Sequence, residues 1–133
     1  MTLQTDIEHL FDRYLTAWNA RDFYTVAACY AYPCLFILPQ ASLSVGDKAE
    51  MLALLEGLFA GLEADGFCHT EIGKISVRAC GDTLALVDVT NIRRLRKDGS
   101  ILEVIDGHYV ARFENDAWLF NTAVVCTPGW QAS

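Results

Sequence analysis

The sequence predicts an α+β roll, with helices and one short strand in its first half and four long antiparallel strands in its second. Two patterns predict this class. Before residue 65 the apolar residues recur at helical spacing, and a side chain able to cap a helix opens each run. From Cys68 onward the spacing changes to period two, and Gly81-Asp82, Asp98-Gly99 and Asn115-Asp116 separate four extended runs. A third observation concerns quantity. The 133 residues suit a single domain spanning 1–133, yet 53% of them are hydrophobic, more than one small core requires. A ligand cavity or a subunit interface would absorb the surplus.

The elements follow in order. Ile7, Leu10, Phe11, Tyr14, Leu15 and Trp18 form the one-sided stripe of a first helix, and Thr5 with Glu8 has the spacing of a capping box. Asn19-Ala20-Arg21 breaks this helix, and Asp22 caps a second, short one through about Tyr30, which Pro33 ends. Cys34–Leu38 reads as a short strand closed by Pro39, because proline interrupts a ladder. Gln40–Gly46 reads as a loop. Asp47 with Glu50 repeats the capping pattern and opens a third helix to about Ala64, apolar on Met51, Leu52, Leu54, Leu55, Leu58, Phe59 and Leu62. Gly57 and Gly61 inside it each cost roughly 1 kcal/mol relative to alanine, which predicts a close packing approach there. The strands are expected at about 68–80, 83–97, 100–114 and 117–126.

Charge and motifs remove several classes of function. Ten Lys and Arg against seventeen Asp and Glu leave a net charge of −7, which opposes binding to nucleic acid or to an anionic membrane. The basic cluster Arg93-Arg94-Leu95-Arg96-Lys97 lies at a predicted hairpin tip, where such charges solvate the turn and protect an edge. Met1–Leu10 lacks the basic start and apolar core of a signal peptide, and no apolar run nears the ~20 residues a bilayer requires. The five cysteines show no CxxC spacing and are expected as buried free thiols in a reducing cytoplasm. No phosphate loop, HExxH, GxSxG or clustered metal ligands occur, so neither cofactor nor metal is expected.

Two-residue turns fix a strand register. They place Asp88 opposite both Tyr109 and Ile75, Arg94 opposite Glu103 and His69, Tyr109 opposite Thr122, and Phe113 opposite Trp118. Alternation then collects Ile75, Val77, Leu84, Leu86, Asp88, Tyr109, Phe113, Trp118, Phe120 and Val124 on one bulky face, assigned to the helices. The other face carries Val87, Val89, Asn91, Val104, Asp106, His108, Val110, Leu119, Ala123 and Val125. It is too apolar for plain solvent and predicts a homodimer through the outer sheet face, with Asn91, Asp106 and His108 as a polar island. A β-bulge would shift the register by one residue and exchange the faces locally.

The segment 11–39, FDRYLTAWNARDFYTVAACYAYPCLFILP, resembles the nuclear transport factor 2-like superfamily, and within it the ketosteroid isomerases and SnoaL-like polyketide cyclases. The shared features are the Arg-Tyr on helix one, the Asn-Ala-x-Asp break, the Tyr30-Ala31 ending of helix two and the short strand closing in proline. The Lys-Asp-Gly hairpin and the strand–turn–Trp ending are similar too. The resemblance implies a cystatin-like cone in which a strongly curved sheet wraps the helices and leaves an apolar pocket, and it implies frequent homodimers. It also implies that Tyr14 is an oxyanion donor and Tyr109 a second one. Where those isomerases carry their carboxylate base this chain has Leu38, which accepts no proton, so their mechanism does not transfer.

Beside a pure dimerisation module with a collapsed core, two functional readings remain open from the sequence. One is a small apolar or amphipathic molecule held in a pocket lined by Trp18, Phe36, Leu38, Leu55, His69, Phe120 and Thr122. The other is a cofactor-free isomerase, cyclase or lyase with Asp88 as base and Tyr14 and Tyr109 as oxyanion donors. Asp88 interrupts an apolar strand, and burial beside Tyr109 would raise its pKa. The plainer alternative is a structural aspartate satisfied by a tyrosine hydroxyl or a backbone amide. His69, Glu71, Arg94 and Glu103 would line the pocket mouth or form a solvated, charge-paired rim.

Overall fold

Each helix starts where a short oxygen-bearing side chain accepts an amide that the helix itself cannot satisfy. The computed structural model describes residues 2–126. Thr2 accepts from the Thr5 amide at 3.1 Å and opens α1 (Leu3–Asn19). The cap therefore lies three residues before the expected Thr5. Asp22 accepts from Thr25 at 3.3 Å and opens α2 (Phe23–Ala28). Asp47 accepts from Glu50 at 2.9 Å and opens α3 (Lys48–Ala64), while Glu50 reaches back to the Gly46 amide at 2.9 Å.

The strands are β1 (Tyr30–Ile37), β2 (Ser42–Val45), β3 (Phe67–Glu71), β4 (Lys74–Ala79), β5 (Leu84–Arg96), β6 (Ile101–Glu114) and β7 (Ala117–Cys126). They form one sheet in the order β2-β1-β7-β6-β5-β3, with β4 pairing β5 on the same edge as β3. Only β1 and β7 run parallel. The expected α+β roll is thus present, as three helices on a curved, mostly antiparallel sheet. Two details differ. Ser42–Val45, expected in a loop, pairs with β1, and β1 begins at Tyr30 rather than Cys34.

The expected strand 68–80 is two strands, and its break lies beside a bulge in β5. Asn91 has φ 61°, a left-handed conformation that asparagine tolerates better than most residues. The amide it turns inward donates to Asp106 Oδ1 at 2.9 Å, and Asp106 is only 5% exposed. The neighbouring strand follows the kink by breaking at Gly73. A Cβ there would lie 2.6 Å from the Thr90 carbonyl, so glycine is required by close approach. β7 carries a second bulge at Asn121, whose side chain donates to the Pro33 carbonyl at 3.0 Å and ties the kink to β1.

These bulges correct the register. Arg94 does pair with Glu103 and Phe113 with Trp118, although nearer the first hairpin a slip pairs Leu95 with Ile101. Beyond each bulge the pairing slips by one residue, so Asp88 faces His108 rather than Tyr109, and Tyr109 faces Ala123 rather than Thr122. The helix-covered core of β5 is therefore Ala85, Val87 and Val89, continuing as Ile92 after the bulge. Leu86 and Asp88 lie on the outer face.

In α3, Gly57 and Gly61 meet no atom within 4 Å of a built Cβ, so the expected close approach does not occur. Gly57→Ala is accordingly expected to stabilise the protein by about 0.5–1 kcal/mol, measured by thermal or urea unfolding. A loss of stability would show that the glycine is needed for packing.

Candidate functional site

Five aromatic rings meet where α1 crosses the sheet. Phe120, wholly buried, has the rings of Phe11, Tyr14, Tyr109 and Tyr30 around it at 4.9, 5.2, 5.2 and 5.4 Å between centroids. Edge-on and tilted contacts of this kind stabilise beyond area burial alone. Tyr109 can fold back along its own strand because residue 107 is glycine: a Cβ there would meet Tyr109 Cε1 at 2.9 Å and its hydroxyl at 3.0 Å.

Above this floor lies a cavity of about 400 Å³, enclosed by α1, α3, β1 and the inner face of the sheet. That volume is in the range of small-molecule sites. The expected residues Tyr14, Trp18, Phe36, Leu38, Leu55 and Tyr109 all line it. Tyr30, Ile92, Ala123 and Val125 line it as well, although the sequence pattern puts Tyr30 at a helix end and Ala123 and Val125 on the outer face.

Four expected site residues lie elsewhere. Asp88 is on the outer face, its Oδ1 2.7 Å from His108 Nδ1 and its Oδ2 3.9 Å from Arg78. The bulge at Asn91 moved it there. His69 points to the side of β3 opposite the cavity and pairs with Glu71 at 3.3 Å, which also receives Arg93 at 3.0 Å. Thr70 occupies the inward position instead, accepting the Trp18 Nε1 proton at 3.0 Å. Thr122 faces outward between Leu35 and Val110, displaced by the bulge at Asn121. Phe120 supports the floor from beneath and does not reach the cavity.

Polarity in the cavity is sparse and specific. Burial pushes the Tyr14 hydroxyl up to about 12, partly opposed by its hydrogen bond with Tyr30 and by the Arg94 guanidinium. Burial raises Tyr109 and Tyr30 further, and each is also raised by the neighbouring Tyr14. All three phenols therefore remain protonated donors at any physiological pH. Arg94 and Glu103 line the cavity together as an ion pair across β5 and β6, with the arginine 17% and the glutamate 42% exposed at the side chain. The arginine lies over Trp18, 5.9 Å from its centroid.

The raised tyrosines have a consequence for alkaline stability. The unfolded chain loses these protons near pH 10, whereas the folded chain holds them, so the unfolded state binds fewer protons above that pH. Stability is expected to be unaffected by them below about pH 10 and to fall as pH rises from there through about 12. Absorbance at 295 nm should show the phenolates of Tyr14, Tyr30 and Tyr109 appearing with unfolding. Their appearance in a still-folded protein near pH 10 would contradict the burial argument.

Among the described residues no three His, Cys, Asp or Glu side chains are grouped to hold a metal ion. Among the same residues no helix is long and apolar enough to cross a membrane.

Known proteins share this architecture. An NTF2-like protein of unknown function from Shewanella oneidensis MR-1 superposes with a TM-score of 0.76 at 16% identity, covering 93% of this chain and 98% of that one. One from Pseudomonas putida KT2440 gives 0.73 at 22% identity, covering 94% and 86%. A ketosteroid isomerase-like protein from Erwinia carotovora atroseptica SCRI1043 gives 0.66 at 18% identity, covering 92% and 93%. At these identities the likeness establishes the fold alone. No curated protein sequence matches this chain. The sequence model of one family, described as NTF2-like protein (DUF6841), matches residues 5–128, and the chain belongs to that family.

Proposed function

We propose that this protein binds a small apolar or amphipathic molecule in the cavity between α1, α3 and the sheet. The observation that carries the reading is the cavity itself, about 400 Å³ over an aromatic floor and bordered by the protonated phenols of Tyr14 and Tyr109. An apolar body would pack on Trp18, Leu55 and Ile92, and an oxygen atom would accept from the tyrosines. A cofactor-free isomerase, cyclase or lyase would use the same hydroxyls as oxyanion donors, but it also needs a proton acceptor in the cavity. Asp88 lies on the other face, and the cavity's Glu103 is tied to Arg94, so binding is the better supported reading. The test is titration with N-phenyl-1-naphthylamine, a neutral probe that fluoresces in apolar surroundings. Saturable binding of one probe per chain is expected, and its absence from the folded protein would overturn the reading.

The same proposal includes a homodimer through the outer sheet face. Its support is the exposed apolar row of Leu35, Ile37 and Leu86, at 37, 36 and 38% exposure, beside the half-buried Val110, Leu119 and Val124. The free thiols at Cys29, Cys34, Cys68, Cys80 and Cys126 fit a reducing compartment such as the cytoplasm. Sedimentation at micromolar concentration should give a dimer that Leu86→Glu converts to monomer. A monomeric wild-type protein would contradict this part.

A further inference from the structure

The cavity contains a cation whose hydrogen-bonding capacity is only partly used. Arg94 lies past the bulge at Asn91 and lines the cavity from the inner face together with Ile92. Of the five donors on a guanidinium, Nη1 is engaged by Glu103 Oε1, whereas Nε is buried and meets no acceptor among the described residues. A buried donor left in this state is costly, and a charged one more so. The charge also acts on the phenols: Arg94 opposes the rise in the pKa of both Tyr14 and Tyr109, so its field reaches both. Donors thus dominate this side of the cavity, with two phenols and a guanidinium against one carboxylate. That carboxylate is also the more exposed member of its pair and has water to turn to.

We infer that the molecule bound here is an amphipathic monoanion, an apolar body bearing one carboxylate, and that Arg94 is the residue that selects it. The carboxylate would take a place beside the guanidinium, where Arg can offer two parallel N–H donors, and Glu103 would be released toward solvent. The apolar body would lie along Trp18, Leu55 and Phe36, all of which line the cavity. Trp18 also restrains the arginine by lying under it, so little ordering is required when the anion arrives.

The inference rests on the cavity being a binding site, and the test separates the two. N-phenyl-1-naphthylamine carries no charge and reports only whether the cavity takes an apolar molecule. Decanoate and 1-decanol, matched in chain length, are then compared as displacers at pH 7. Decanoate is expected to displace the probe at a concentration roughly tenfold or more below that of 1-decanol, as a charge-assisted hydrogen bond provides. Arg94→Leu should bring that ratio to about one, Arg94→Lys should retain part of it, and Glu103→Gln should tighten decanoate binding by freeing the guanidinium. If the probe binds but decanoate and 1-decanol compete equally, the anion inference is overturned and the binding reading stands. A preference that survives intact in folded Arg94→Leu would likewise overturn it. If Arg94→Leu does not fold, the Arg94→Lys and Glu103→Gln ratios decide. Failure of the probe to bind folded wild-type protein removes the cavity reading itself.

Discussion

Replacing Asp106 by alanine is expected to destabilise the protein by about 1–3 kcal/mol, the cost of leaving a buried amide without its acceptor. The amide is that of Asn91, which reaches Asp106 Oδ1 at 2.9 Å inside the bulge of β5. Without the carboxylate nothing described holds residue 91 in its left-handed conformation. The strand then has reason to return to regular pairing, in which Val87 and Val89 cannot share the inner face with Ile92 and Arg94. The loss is therefore expected in two readings. The melting temperature should fall by roughly 3–10 °C, and binding at the cavity should weaken as the β5 wall rearranges. Asp106→Asn keeps an acceptor oxygen and should recover most of the stability. Equal losses in the two variants would mean that charge, rather than the hydrogen bond to Asn91, is what the site requires.

The second large effect is on binding. Ala123 lies opposite Tyr109 on the inner face, is buried and lines the cavity. Ala123→Phe sends a ring into the space the ligand would occupy, so affinity for N-phenyl-1-naphthylamine should fall roughly tenfold or more, equivalent to at least 1.4 kcal/mol. Overpacking costs about 1–3 kcal/mol where a core cannot yield, but here the adjoining space is empty and the variant should remain folded. Val125→Trp places bulk in the same cavity from a half-buried position and serves as a second blocking variant. Undiminished binding in both folded variants would place the probe elsewhere on the protein.

Much of this architecture was legible because local chemistry set it. Asp22 and Asp47 cap helices for the reason their sequence neighbourhoods indicate, and the turn at Asn115-Asp116 pairs the residues nearest it as expected. Tyr14, Trp18, Phe36, Leu38, Leu55 and Tyr109 fall in the cavity because helix period and strand alternation hold over those short stretches. Register far from a turn was not legible. A bulge moves every later residue to the opposite face, and whether one forms depends on a partner distant in sequence: Asp106 for Asn91, and Pro33 for Asn121. This is how Asp88, the most chemically suggestive carboxylate in the sequence, came to lie outside. A signal was nonetheless present. Asparagine is depleted in strands and tolerates the left-handed region, and Asn91 and Asn121, each set inside a strand, mark two of the places where the register slips.

The outer cluster of Asp88, His108 and Arg78 is explained by the same slip. On the expected register Asp88 would have been a desolvated carboxylate under the helices. On the observed one it is a half-exposed acceptor for His108 within an apolar face. Its substitution by asparagine should leave probe binding in the cavity intact, because no part of Asp88 lines that space.

The measurement that bears most directly on the central claim is the fluorescence titration of the wild-type protein with N-phenyl-1-naphthylamine, run beside Ala123→Phe. A cavity that holds small amphipathic molecules predicts saturable enhancement at one probe per chain in the wild type, and its loss in the folded variant. No saturable enhancement in folded wild-type protein, or an enhancement that Ala123→Phe and Val125→Trp leave unchanged, would contradict it.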